Sequence, residues 1–283
     1  MEDTEQVTGT LSFLKEASLD GLLPWLAQCA AVEQSGLGQA AVEGLALENG
    51  LLPARYQRNR NMMSVAEQLR LFRSRVAVIG CGGLGGYVIE ELARLGVGQL
   101  VVIDPDVFEE HNLNRQILST PATLGRAKVV AALERVAQIN PAVTVTALQD
   151  VFCRANGCRL LAGAMVAVDA LDSIAYRLEM ADVCTQAGIA MVHGAIGGWY
   201  GHVATQLPGD TTVQSIYRHW KGGKGIEQHL GNPSFTPAVV ASLQVAEVCK
   251  ILLGRGKLLR HRKLSIDLLS MEIQEISYQA PLQ

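Results

Sequence analysis

The sequence predicts an α/β fold in which a mostly parallel sheet carries helices on both faces, with a helical extension at the N-terminus. Three observations lead there. After residue 50, short wholly apolar runs alternate with segments of helical periodicity; a glycine cluster follows the first of those runs; and the charge changes sign near Gly50. Strands that are apolar on both faces are buried on both faces, as in a parallel sheet covered by helices.

Residues 1–50 hold eight acids and one base, a net of −7, whereas the rest of the chain holds 23 bases and 19 acids, a net of +4. That break marks residues 1–50 as an appended acidic arm. Leu11, Leu14, Leu19, Leu22, Leu23, Trp25 and Leu26 recur at roughly helical spacing, and Gly21 and Pro24 interrupt them. Two or more short helices packed on the main body are therefore expected, with a partner-docking arm as the other reading. Residues 51–283 are expected to form the main domain, with an N-terminal part over about 74–195 and a C-terminal part over about 196–283.

Within that domain the runs at 75–79 and 98–104 read as buried strands, separated by a helix over Leu84–Leu95 with Val88, Ile89, Leu92 and Leu95 on its apolar side. A helix is predicted over Thr123–Ile139, with Val129, Val130, Leu133, Val136 and Ile139 on one side, ended by Asn140-Pro141. Strands follow at 143–148 and 165–169, a helix at 173–187, strands at 190–193 and 202–205, a long helix at 237–253, and strands at 263–269 and 272–278.

Composition narrows the function. Hydrophobic residues are 49% of the chain and charged ones 18%, enough to build a core and too apolar for disorder. The net charge of −3 carries no whole-protein signal for nucleic acid. The six cysteines (Cys29, Cys81, Cys153, Cys158, Cys184 and Cys249) contain no C-x-x-C pair, which argues against a Cys-rich zinc site; a chain this long is not a disulfide scaffold. The start of the chain is acidic where a secretory signal needs positive charge, and Pro237–Gly254 carries Gln244, Glu247 and Lys250. A cytoplasmic protein with neither membrane nor nucleic-acid partner is expected.

Gly80-Cys-Gly82-Gly83-Leu-Gly85-Gly86 fits G-x-G-x-x-G between a predicted strand and a predicted helix, and Asp104 ends the next strand 24 residues later. That spacing matches a Rossmann-like dinucleotide fold, where glycines admit phosphate and an acid takes ribose hydroxyls. Cys81 reads as a small filler within the loop. The pattern alone suggests NAD. The stretch after Asp104 argues otherwise: Asp106, Asn112, Asn114, Arg115 and Gln116 crowd into it, and Lys128 follows 13 residues after Arg115. Two fixed cations near a glycine loop suit a triphosphate better than a nicotinamide. Asp169 and Asp172, after a further strand, should lie on the same sheet edge, where a carboxylate can hold Mg²⁺.

From about Leu51 to Ser277 the chain resembles the ThiF/MoeB/HesA family, the bacterial relatives of ubiquitin-activating enzymes. The residues that carry the resemblance are Arg55-Tyr-Gln-Arg58-Asn59, Gln68-x-x-Leu71-x-x-Ser74-Arg75-Val76, the glycine loop, Asp104-x-Asp106, Asn112-Leu-Asn-Arg115-Gln116, Gly125-Arg-Ala-Lys128-Val129, Ile139-Asn-Pro141 and Asp169-x-x-Asp172. The resemblance implies ATP-dependent adenylation of a carboxylate, often the C-terminal Gly-Gly of a small β-grasp sulfur carrier, with release of pyrophosphate. It implies that Asp104 binds ribose, that Arg115 and Lys128 hold phosphates with support from Asn112, and that Asp172 positions Mg²⁺. The nucleotide-contacting set would also take in Gly80, Gly82, Gly83, Gly85, Asp106 and Gln116. It implies too that Arg58 reaches the neighbouring subunit of a homodimer. The parts over 74–195 and 196–283 would then bind nucleotide and carrier, respectively.

The sequence also departs from the family. Val213 and Ile216 stand where many members have a first zinc-binding C-x-x-C, and no second pair follows the terminal strand, so zinc is not expected. Ser173 follows Asp172 where an Asn is often seen. The loop over about 219–236, with His219, Trp220, Lys221, Lys224 and His229, has no cysteine and reads as a mobile lid or a disordered connection. Cys184 and Cys249 read as core packing. The chain is accordingly expected to stop at the adenylate, without a catalytic cysteine of its own. A non-catalytic nucleotide-binding scaffold and an NAD-dependent oxidoreductase are the competing readings.

Overall fold

The structure is a computed structural model and describes residues 2–222 and 230–278. The N-terminal segment comprises α1 (Glu2–Glu16), β1 (Leu22–Leu23), α2 (Trp25–Ser35) and α3 (Gln39–Glu48). Leu14, Leu23, Ala31, Val42 and Ala46 form a small core of their own. The segment is not detached at Gly50: β1 pairs in parallel with β2 (Leu52–Pro53), Leu22 opposite Leu52. A 3₁₀ turn, Ala54–Asn59, and α4 (Val65–Phe72) lead into the main body. Ser64 and Glu67 cap α4 reciprocally, the serine hydroxyl accepting from Glu67 N–H and the Glu67 carboxylate accepting from Ser64 N–H.

The body then runs β3 (Arg75–Ile79), α5 (Gly83–Leu95), β4 (Gln99–Ile103), α6 (Lys128–Ile139), β5 (Thr144–Leu148), α7 (Gly157–Leu160), β6 (Val166–Asp169), α8 (Ile174–Ala187), β7 (Ala190–Gly197), β8 (Tyr200–Gln206), α9 (Thr212–Ile216), α10 (Phe235–Leu253), β9 (Arg262–Asp267) and β10 (Glu272–Ser277). The strands form one sheet in the order β10-β9-β8-β7-β6-β3-β4-β5. β3 to β7 are parallel neighbours, and β8, β9 and β10 add on antiparallel. The strand period of two divides each apolar run between two cores. Val76, Val78, Leu100, Val102, Val166 and Val168 face α5, α6 and α10. Ala77, Ile79, Val101, Ile103, Ala167 and Met191 face α7, α8 and α9. Helices thus lie on both faces.

Two sequence expectations change here. The helix expected over Thr123–Ile139 begins only at Lys128. Leu124 bridges to Phe108 and Ala127 to Val107, both with ψ near +130°, and a turn at Gly125 lies between them, so this stretch is non-helical and pinned to the strand-exit segment. The helix buries Val129, Ala132 and Val136, which share one face at i, i+3 and i+7, while Val130 and Leu133 lie at its edge and are about two-fifths exposed. By length and composition α10 is apolar enough to cross a membrane. In this structure it is a core helix: Val240, Ala241 and Val248 are fully buried, Gln244 donates to Asp169 O, and the Glu247 carboxylate accepts from the Thr205 hydroxyl. Lys224 and His229 of the expected lid lie outside the described residues.

Candidate functional site: a phosphate-suited cavity at the strand ends

β4 lies on one side of β3 and β6 on the other, so the strand order reverses at β3, where an α/β sheet opens a crevice at its carboxyl edge. The chain leaves β3 through Gly80 at φ +98°, where a Cβ would come within 2.6 Å of Ala170 O; at Gly85 a Cβ would lie 1.7 Å from Gly80 O. Only glycines let the loop lie this close to the end of β6. Gly82 and Gly83 therefore line a cavity of about 370 Å³ at the N-terminus of the 13-residue α5, where free N–H groups and the helix dipole favour an anion.

Asp104 and Asp106 form one wall. The Asp104 carboxylate accepts Cys81 N–H at 2.7 Å through Oδ2 and Asp106 N–H at 2.8 Å through Oδ1. It clamps the loop while still lining the cavity. Burial pushes its pKa up, against the pull of Lys128 and the two N–H donors. Burial also pushes the Cys81 thiol well up, in keeping with a filler role. Lys128 Nζ lies 3.0 Å from Asp106 Oδ2 and is 92% buried at the first residue of α6. A buried cation there opposes the helix dipole, which favours negative charge; an anion in the cavity resolves that conflict.

Arg115 approaches from the opposite wall, its guanidinium held by His111 O and Asn114 Oδ1, both at 3.0 Å. Burial lowers its pKa and Asp172 across the cavity raises it. Gln116 is buried beside Gly82, and its Oε1 has no hydrogen-bond partner among the described residues. Gly80, Gly82, Gly83, Asp104, Asp106, Arg115, Gln116, Lys128 and Asp172 thus meet around one space.

Four of the singled-out residues stand elsewhere, among them Gly85, which packs against Gly80 O and does not line the cavity. Asn112 is buried and caps a short 3₁₀ turn, its Oδ1 accepting Glu109 N–H, so it supports the loop carrying Arg115 without lining the cavity. Arg58 is exposed on the 3₁₀ turn 54–59, outside the cavity. Asp169 was expected beside Asp172 at the phosphate edge. It is instead fully buried, its Oδ2 2.6 Å from His193 Nδ1, because the last residue of β6 pairs with His193 on β7.

The sequence reading missed Arg177. It is buried on α8, donates to Leu171 O, and donates to the Tyr217 hydroxyl at 2.9 Å. Its place one helical turn after Ser173 was the available signal. Arg177, Asp172 and Ile196 are shared with a second cavity of about 180 Å³, which runs on past Gly197, Gly201, His202 and Tyr217. Trp199 and Phe235, rings 4.6 Å apart and partly exposed, form an apolar surface at the neighbouring hairpin.

Residues 56–282 match the ThiF family. The chain belongs to the ThiF family. The SAMP-activating enzyme E1 of Haloferax volcanii is 35% identical over 228 residues, covering 79% of this chain and 84% of that protein. The sulfur carrier protein adenylyltransferase of Thermus thermophilus is 33% identical over 235 residues, covering 79% of this chain and 86% of the other. The crystal structure of Escherichia coli MccB with ATP superposes with a TM-score of 0.67 at 20% identity, covering 90% of this chain and 84% of that one, and shares the fold.

Proposed function

We propose that this ThiF-family chain is an ATP-dependent adenylyltransferase that activates the C-terminal carboxylate of a ubiquitin-like sulfur carrier as an acyl adenylate. The convergence of the α5 N-terminus, Lys128, Arg115 and Asp172 on one cavity carries this reading. A carboxylate oxygen of the carrier attacks the α-phosphorus, the bond to pyrophosphate breaks, and the carrier keeps the AMP group. Such transfers depend on positioning and charge neutralisation more than on covalent protein chemistry.

Each residue has a part in that balance. The Asp104 oxygens keep lone pairs for ribose hydroxyls beyond their two backbone contacts. Lys128, freed from Asp106 by a competing phosphate, and Arg115 neutralise charge on the transferring and leaving phosphates. Gln116 Oε1, without a partner among the described residues, supplies a further acceptor. Asp172 has the chemistry to hold Mg²⁺, which when bound would offset the pyrophosphate charge. The exposed Arg58 acts across a homodimer at the cavity of the other protomer.

The second cavity, which shares Asp172, Arg177 and Ile196 with the first, takes the carrier tail; its glycine walls at Gly197 and Gly201 suit a Gly-Gly terminus, and the apolar surface at Trp199 and Phe235 takes the carrier body. Neither cavity is lined by a cysteine among the described residues, and the reading keeps the acyl group on AMP rather than on this chain. ATP–pyrophosphate exchange with purified protein and a panel of β-grasp carriers ending in Gly-Gly tests the proposal. Exchange with a carrier is expected; nucleotide binding without exchange for any carrier supports the scaffold reading instead.

A further inference from the structure

Adenylation of a carboxylate moves no proton, yet an Asp–His–His chain opens onto the acyl side of the site. Asp169 and His193 are fully buried, with Asp169 Oδ2 2.6 Å from His193 Nδ1 and Asp169 Oδ1 accepting Leu171 N–H. His193 Nε2 lies 3.1 Å from His202 Nε2 and 3.2 Å from the Tyr217 hydroxyl, which itself accepts from Arg177. His202 lines the second cavity, beyond the end of the first that holds Arg115 and Asp172.

The hydrogen-bond directions follow from the carboxylate, which only accepts. His193 carries its proton on Nδ1 and accepts at Nε2. His202 must then donate from Nε2, which leaves Nδ1 as its basic atom, and Nδ1 has no partner among the described residues. A buried carboxylate that fixes an imidazole and stabilises the proton it takes up is the arrangement used where a nucleophile must be deprotonated. Burial holds both histidines below the ordinary histidine range, and the neighbouring Lys263 on β9 and Arg177 on α8 act in the same direction, against Asp169. Tyr217 faces the pair as well, and Asp172 stands at the cavity junction. His202 is thus neutral near neutral pH, and a proton arriving at Nδ1 is stabilised by passing the Nε2 proton on to His193, beside the Asp169 carboxylate.

Resting on the adenylation reading, we propose that His202, positioned by His193 and Asp169, takes the proton from an incoming thiol that displaces AMP from the acyl adenylate. Sulfur attacks the carbonyl carbon, the bond from that carbon to the AMP oxygen breaks with its electron pair leaving on AMP, and the thiol proton passes to His202 Nδ1. The product is a thioester on the incoming thiol. Arg177 and Lys263 disfavour an amine, which enters as a cation at neutral pH, whereas a thiol enters neutral. The thiol is not supplied by the chain's own buried cysteines near the site: burial pushes Cys184 up to about 12 and Cys81 well up.

The test is single-turnover AMP release from acyl adenylate formed on the full chain with ATP, Mg²⁺ and a Gly-Gly carrier, with dithiothreitol as nucleophile and pyrophosphate exchange measured in parallel. Absence of exchange in the wild type overturns both readings; with exchange present, only the relay is on trial. His202→Gln is expected to lower dithiothreitol-driven release at least tenfold more than it lowers exchange, and to make release rise with the thiolate fraction where the wild type levels off below the thiol pKa. Equal effects on the two reactions, or none, overturn the proposal. The wild type supplies a second measurement: a normal solvent deuterium isotope effect on thiol-driven release and none on exchange is expected, and the lack of that difference overturns it independently of any variant's folding.

Discussion

Lys128 shows how a single residue's position carries chemical meaning. It begins α6, is 92% buried, and pairs with an exposed Asp106 rather than with a buried acid. Removing it takes its pull away from the buried Asp104, which keeps its two backbone N–H donors, so Lys128→Ala should fold with some loss of stability. A charge-assisted hydrogen bond is worth about 1.5–3 kcal/mol, which corresponds to a loss of roughly 10- to 150-fold. Lys128→Ala and Arg115→Ala are each expected to lower pyrophosphate exchange by about that factor with circular dichroism unchanged; near-wild-type exchange in both would remove the phosphate role. Gly85 behaves oppositely. With Gly80 O 1.7 Å from a Cβ at this position, Gly85→Ala forces loop and helix apart. A loss of about 1–3 kcal/mol is expected, visible as a lower urea midpoint at constant slope, since overpacking a tight contact costs on that order.

At the scale of elements, the N-terminal segment is joined to the nucleotide-side helices by a buried polar cluster. Tyr56 donates to Glu43 Oε1 at 2.7 Å and accepts from Asn140 Nδ2 at 2.7 Å. Arg55 bonds Asn140 and Gln28, and its guanidinium lies 4.8 Å from the Trp25 ring centre. The cluster thus ties α2 and α3 to the C-terminal end of α6, the helix whose first residue is Lys128. Burial raises the Glu43 pKa against the opposing pull of Arg55 and Tyr56, so the carboxylate depends on these partners. Tyr56→Phe leaves Glu43 Oε1 without its hydrogen-bond donor, while Asn140 Nδ2 keeps Ala93 O, and a loss of about 1–3 kcal/mol is expected in urea unfolding. A change within about 0.5 kcal/mol would mean that the segment is held by its apolar contacts alone.

The elements also show what a sequence can and cannot reveal. The strands and the helix over 83–95 were legible because burial on both faces and a period near 3.6 are local properties. The start of α6 was not, because Leu124 and Ala127 are held out of the helix by bridges to Phe108 and Val107, contacts that span 16 to 20 positions. The Ser64-x-x-Glu67 capping box of α4 and the amphipathic spacing behind it both stand in the sequence, and only the helix's length of eight residues makes it inconspicuous.

On the scale of the whole molecule, the reversal of strand order at β3 brings the ends of β3, β4 and β6 to one edge, and the cavity follows from that topology. Arg58 lies outside it, exposed on the turn 54–59. If it acts across a homodimer, two defective chains should complement one another. Arg58→Ala and Lys128→Ala proteins, each impaired alone, are expected to regain exchange activity when mixed and allowed to exchange subunits, because the mixed dimer restores one complete site. No gain on mixing, with subunit exchange verified by mass, would place Arg58 outside the site of the partner.

The sequence by itself determined the layered α/β architecture and the glycine loop, because both follow from spacing along the chain. It also brought Asp104, Asp106, Arg115, Gln116, Lys128 and Asp172 forward as a set. The direction in which edge side chains turn was decided only by the tertiary structure. Asp169 ends its strand as Asp104 does, but pairing of β6 with β7 sets His193 opposite it, and their hydrogen bond draws that carboxylate into the interior. Asn112 likewise turns to cap its own loop. Both outcomes rest on which hydrogen-bond partner folding brings within about 3 Å, a distance that residue order alone does not contain.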